Sequence, residues 1–266
     1  MTKIILCADD YGQSEAVSRG ILALIGAGRL SAASCMTEGG FWESSSKPLA
    51  EFRERIDIGL HFNLTHPFAS QGAPPLTLKR IIASALSGRV DKTAVAAALN
   101  NQLDRFEMGL KSPPDFVDGH QHVHALPGIR RVLWEVLSAR YPERKPYLRS
   151  VNPTLALGHA NTKLAFLKSL NAGFAAGARR AGFKTNARIA GIYSLKPEAN
   201  FSGLMRKWLR AARAGDLVIC HPGEDADDGV DPIAGTRPIE LEFLKSAAFG
   251  ELLAQYEIQL ARFRDL

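Results

Sequence analysis

The chain has 266 residues, 46% of them hydrophobic and 23% charged, with a formal net charge of +6. That length suits one large α/β unit, read here as a single domain over residues 1–266, and the apolar fraction builds a sizeable core without covalent staples. The positive excess is mild and dispersed, with small clusters at Arg179-Arg180 and Arg206 to Arg213 and no aromatic-interleaved basic stripe, which argues against a nucleic-acid partner.

The first predicted strand runs from Lys3 to Ala8. Asp9 and Asp10 cut its apolar run too early for a signal peptide, and no later run approaches the roughly 20 apolar residues of a membrane span. Cys7, Cys35 and Cys220 are scattered and form no CxxC, so a reducing compartment and a soluble, cytoplasmic protein are expected. A helix begins after Ser14, its N-cap, carries Val17, Ile21, Leu24 and Ile25 on one face, and stops at Gly28. Then come a strand over Ser31–Met36, a helix near Phe41–Arg53 and a strand over Ile56–Phe62. Thr65 to Leu76, with Pro67, Gly72, Pro74 and Pro75, reads as a long loop.

Helices follow over Leu78–Leu86 and Lys92–Leu110. After Pro113-Pro114 the pattern predicts a strand over Asp115–Asp118, a helix near Ile129–Ala139, a strand over Tyr147–Val151 and a helix near Thr162–Ala181. A strand at Ala187–Tyr193, a helix at Phe201–Ala212 and a strand at Leu217–Cys220 complete the alternation. Glu224 to Thr236 is an acidic, Gly-punctuated loop, Pro238–Leu244 opens a helix, and the last residues form a small closing element. Strand and helix alternate throughout, which predicts a distorted TIM-like (β/α) barrel with about seven parallel strands.

Polar clusters follow four of these strands: Ala8-Asp9-Asp10-Tyr11-Gly12, Gly59-Leu60-His61-Phe62-Asn63, Asp118-Gly119-His120-Gln121-His122-Val123-His124 and Cys220-His221-Pro222-Gly223. In parallel α/β folds the C-terminal strand ends share one face, so these distant clusters converge. Alternation along a strand points Asp9 and Asp10 in different directions, so one carboxylate can bind a cation while its neighbour takes a proton. His120, His122 and His124 would share one side of an extended strand, with only the first reaching a common centre. His66, His159 and His124 read as packing or surface residues.

One carboxylate and two imidazoles suit a divalent cation with open positions for water and substrate. An adjacent carboxylate serves as general base and a further His protonates a leaving group. Asp9, Asp10, His61, His120 and His221 supply that set. No GxSxG, GxxxxGK[ST] or HExxH occurs, dinucleotide glycines are missing after the first strand, and Cys220 and His221, adjacent on a strand, point apart.

The same ordered motifs resemble those of the YdjC-like carbohydrate deacetylases, over a span from Lys3 to the closing segment. That resemblance implies removal of an N-acetyl group from a sugar, oligosaccharide or glycolipid headgroup with one divalent cation, magnesium or zinc. Asp10, His61 and His120 match the metal ligands, Asp9 the catalytic base and His221 the general acid. Tyr11 stands where Phe is common, and Thr65–Leu76 and Asn152–Asn186 match less clearly, which leaves the sugar open. A homodimer stays open as an assembly. Two rival readings remain: a metal hydrolase of another substrate class, such as a phosphoester, and a non-catalytic carbohydrate-binding protein on the same fold.

Overall fold

A computed structural model describes residues 1–68, 76–152, 169, 171–225 and 229–266. Its elements are, in chain order, β1 (Thr2–Tyr11), α1 (Glu15–Gly26), β2 (Ala32–Cys35), α2 (Trp42–Ala50), β3 (Asp57–Phe62), α3 (Leu78–Leu86), α4 (Lys92–Leu110) and β4 (Phe116–Gly119). A 3-10 turn (His120–Ala125), α5 (Ile129–Arg140), β5 (Tyr147–Leu148), α6 (Phe174–Arg180), β6 (Ile189–Ala190) and α7 (Phe201–Arg210) follow. The chain ends with β7 (Leu217–Cys220), α8 (Arg237–Lys245), α9 (Ala247–Gln255) and β8 (Ile258–Leu260), before a last 3-10 turn.

Every strand pairing is parallel, and the sheet runs β5-β4-β3-β2-β1-β7-β6. The expected closing element proves to be β8, which pairs with the first residues of β1, Thr2 to Ile4. The sheet curls, and its two ends meet through few bonds. Leu148 N donates to Lys184 O and Ile189 N to Asn152 O. Between them the Asn186 side chain accepts from Ser150 N at 2.6 Å and donates to Ser150 O at 3.0 Å. A side-chain amide thus takes the place of a ladder at the seam, giving the distorted TIM-like α/β barrel that the alternation predicts.

The local reasons are those of the sequence. β1 is apolar and almost wholly buried, as a parallel strand covered on both faces must be. Ser14 caps α1 by accepting from Val17 N, and Val17, Ile21, Leu24 and Ile25 face the core. Asp91 and Ser246 cap α4 and α9 in the same way. The strand expected over Ala187–Tyr193 shortens to Ile189–Ala190. Gly191 turns away there at φ +97°, where an added Cβ would lie 2.1 Å from Ile219 O. Within the helix predicted near Thr162–Ala181, α6 is found, and residues 162–168 lie outside the described residues, as do His159, Asp227, Asp228 and residues 69–75 of the predicted loop. No described helix is long and apolar enough to cross a membrane.

Candidate active site

The site begins with a defect in β1. Its register against β2 shifts between Ala8 and Tyr11, and Asp10 adopts a left-handed φ of 71°. This bulge breaks the strict alternation expected of a strand end. Asp9 and Asp10 therefore do not diverge: both line one cleft, each with its own partners.

Asp10 Oδ1 lies 3.3 Å from His61 Nε2 and 3.2 Å from His120 Nδ1, which β3 and β4 deliver from their C-terminal ends. Behind it, Asp118 Oδ1 sits 2.7 Å from His61 Nδ1 and accepts from Ser34 Oγ at 2.6 Å. A carboxylate only accepts, so His61 donates through Nδ1 and turns Nε2, an acceptor unless the ring takes a second proton, toward Asp10. Two acceptors then face each other, an arrangement that needs a proton or a cation between them. The same demand appears in the His61 ring, which burial alone would push down. Asp118, Asp9 and the bond to Asp10 outweigh burial and raise it to about 10. One donor atom each from Asp10, His61 and His120 lies within 4.8 Å of the others. The donors fit a divalent cation.

Beneath this centre lies a buried ionic layer. Arg149, fully buried, donates from Nη1 to Asp9 Oδ2 at 2.6 Å and from Nη2 to Asp9 Oδ1 at 2.7 Å. Nη2 also lies 2.5 Å from Asp118 Oδ2. Burial would raise the Asp9 carboxyl, but Arg149, with His61 and His221, holds it down at about 2. Asp10 is likewise held well below the carboxylate range against burial, chiefly by Arg237 and its imidazole bonds. Cys7, Asp9 and Asp118 also cluster closely enough to offer metal ligands, but Arg149 already occupies the space between them.

The three histidines of the third cluster do not share a strand face. His120–Ala125 forms the 3-10 turn, and Gln121 and His122 take left-handed φ values of 53° and 62°. Only His120 reaches the centre. His122 lines the cleft, and His124 drops beneath it to donate from Nε2 to Arg149 O at 2.8 Å. Burial lowers His124 to about 4. His66, read from sequence as a packing residue, also lines the cleft, its ring 5.9 Å from that of His120.

On the far side, His221 follows β7. Its backbone N donates to Glu240 Oε2 at 2.5 Å, and its Nδ1 lies 3.9 Å from Glu240 Oε1 without a hydrogen-bond partner. Tyr193 OH donates to the same carboxylate at 2.5 Å. Burial pushes the Glu240 carboxyl up, against the pull of His221 and Tyr193. The cleft these groups enclose has a volume of about 250 Å³ and apolar flanks from Ile192, Leu195, Pro232 and Ile233.

The profile of the family described as YdjC-like protein matches residues 3–255. The chain belongs to the YdjC-like family. Among its relatives, a human carbohydrate deacetylase is 28% identical, over 99% of this chain and 91% of its own length. A chitooligosaccharide deacetylase from Serratia marcescens is 26% identical, over 99% and 98%. A crystal structure from Enterococcus faecalis V583, named for cellobiose-phosphate cleavage, superposes with a TM-score of 0.71 at 18% identity, over 99% of this chain and 98% of that one. That last likeness shows the fold.

All five site residues named from the YdjC-like motifs line the cleft. Arg149, Ser34, Arg237 and Glu240 were not found from sequence. The one signal available for the last two is their position. They stand with Leu241 and Leu244 on the buried stripe of α8, where charged residues need a partner.

Proposed function

We propose that this YdjC-like chain is a divalent-cation-dependent carbohydrate deacetylase, hydrolysing the N-acetyl amide of a sugar. The observation that carries the reading is His61 Nε2 at 3.3 Å from Asp10 Oδ1, with His120 beside it and an ionised Asp9 in the same cleft. The names of the human and Serratia relatives support the carbohydrate substrate and the reaction.

Asp10, His61 and His120 would hold the cation. When bound, it supplies positive charge that polarises the acetyl carbonyl and makes water a better nucleophile. Asp9 takes the proton of the attacking water, and the fork from Arg149 fixes its direction. His221, backed by Glu240, gives a proton to the departing amine, without which an amide intermediate reverts to substrate. One carboxylate and two imidazoles suit zinc and several other divalent ions, and the free, buried state of all three cysteines supports a reducing, cytoplasmic location.

The test is acetate release by protein reconstituted with Zn²⁺, Mg²⁺ or Mn²⁺ and offered N-acetylglucosamine, chito-oligosaccharides and N-acetylated glycolipid headgroups. Cation-dependent acetate release supports the reading. Phosphate release from phosphosugars without acetate release, or sugar binding without turnover, would replace it with the other hydrolase or the binding protein.

A further inference from the structure

The first turn of α8 places a guanidinium against the proposed cation centre. Arg237 is 2% exposed, and its Nη2 donates to Asp10 Oδ2 at 2.9 Å and to Gln13 Oε1 at 3.0 Å. Its Nε pairs with Asp231 at the end of the acidic loop, and its Nη1 lies 3.4 Å from His221 O. The two oxygens of Asp10 are thereby divided: Oδ1 faces both imidazoles and Oδ2 is covered by a cation of the protein itself.

A buried positive charge this close to the seat of a dication lowers affinity for it, because the interior screens their repulsion poorly. If tight binding alone were the requirement, Oδ2 would be better left to the metal. Guanidinium is suited to the opposite task, since its charge does not titrate and its planar fork is fixed by several acceptors at once. We propose that Arg237 is a positioning residue that limits Asp10 to one donor oxygen. It trades cation affinity for coordination positions that stay open to substrate and water. The acidic loop enters through Asp231, which holds the Arg237 Nε and so sets where the fork lies.

This inference rests on the assignment of Asp10, His61 and His120 as the cation's ligands. It makes affinity and rate move in opposite directions, whereas a residue that merely braces Asp10 would lose both together. The experiment is calorimetric titration with Mn²⁺ and Zn²⁺ of wild type, Arg237→Gln, and Arg237→Gln combined with Asp231→Asn. The double variant also neutralises Asp231, so that carboxylate is not stranded by the loss of Arg237, and Asp10 keeps the two imidazoles beside it. Either variant is expected to bind cation at least about tenfold more tightly while acetate release falls at least about tenfold. The visible spectrum of cobalt-loaded protein should shift toward higher coordination, and Arg237→Lys, which keeps a charge over Oδ2, should return affinity toward wild type. Unchanged or weaker cation binding in a folded variant overturns the proposal. Wild-type binding by both His61→Ala and His120→Ala overturns the ligand assignment and this role with it, and those two variants tell the failures apart.

Discussion

Arg149 meets Asp9 through two parallel hydrogen bonds, at 2.6 and 2.7 Å, with both side chains buried. The fork fixes both the charge and the direction of the carboxylate proposed as general base. Asp9→Asn keeps size but cannot take a proton, so acetate release should fall about 10²- to 10⁴-fold with cation content unchanged. Wild-type turnover would move the base elsewhere. Arg149→Met should act on stability as well, because it strands Asp9 and Asp118 in the barrel. A loss of about 3–5 kcal/mol in denaturant unfolding is expected.

Cation binding should release a proton. In the cation-free chain the carboxylates around His61 hold its ring protonated up to about 10, and a cation at Nε2 must displace that proton. Affinity should therefore rise with pH between roughly 7 and 10. Calorimetry in buffers of different ionisation enthalpy should report close to one proton released near neutrality. His61→Ala and His120→Ala should each lose stoichiometric binding. Binding that ignores pH and buffer, with full occupancy in both variants, would place the cation elsewhere.

His124 gives stability a pH dependence of its own. Its ring is held at about 4 by burial, while an exposed imidazole titrates at about 6.5. A depressed pKa means that the unfolded chain binds the proton more readily. The stabilisation is complete above about 6.5 and is lost as pH falls toward 4, by about 3 kcal/mol in all. His61, raised rather than lowered, contributes in the opposite sense, and so the wild-type profile mixes the two. His124→Gln, whose amide can still donate to Arg149 O, isolates the contribution of His124: its unfolding free energy should change less between pH 6.5 and 4 than that of wild type. Parallel profiles would show that His124 does not titrate in this window.

Much of the barrel was legible because its strands are buried on both faces. Runs such as Ile4 to Ala8 and Leu217 to Cys220 are apolar without interruption and are bounded by turns. The cleft was legible because Asp9, Asp10, His61, His120 and His221 each follow such a run. The bulge at Asp10 and the left-handed Gln121 and His122 were not, since Asp and His are enriched at positive φ but seldom adopt it, and Gln does not mark it at all. Arg149 lies just after the two-residue β5 and reads like any exposed arginine until the barrel closes around it. Tertiary placement, rather than local pattern, gives it a role.

His221 and Glu240 support the last prediction. An amide leaves only when its nitrogen is protonated, so the proposed acid matters most for substrates with poor leaving groups. His221 Nδ1 is buried, unpartnered and 3.9 Å from a fully buried carboxylate that also fixes the His221 backbone N. That placement anchors the ring at the wall of the cleft it lines. His221→Ala should therefore slow an N-acetyl sugar about 10²-fold or more, yet slow an activated acetyl ester only slightly, with cation content intact. Glu240→Gln retains a carbonyl acceptor for Tyr193 or His221 N but removes the negative charge. It should reproduce the same amide-over-ester selectivity in weaker form, about tenfold. Tyr193→Phe, which leaves the carboxylate in place, should show little of it. Equal losses on amide and ester in His221→Ala, or loss of the cation, would show that His221 serves the site as a ligand or a brace and gives no proton.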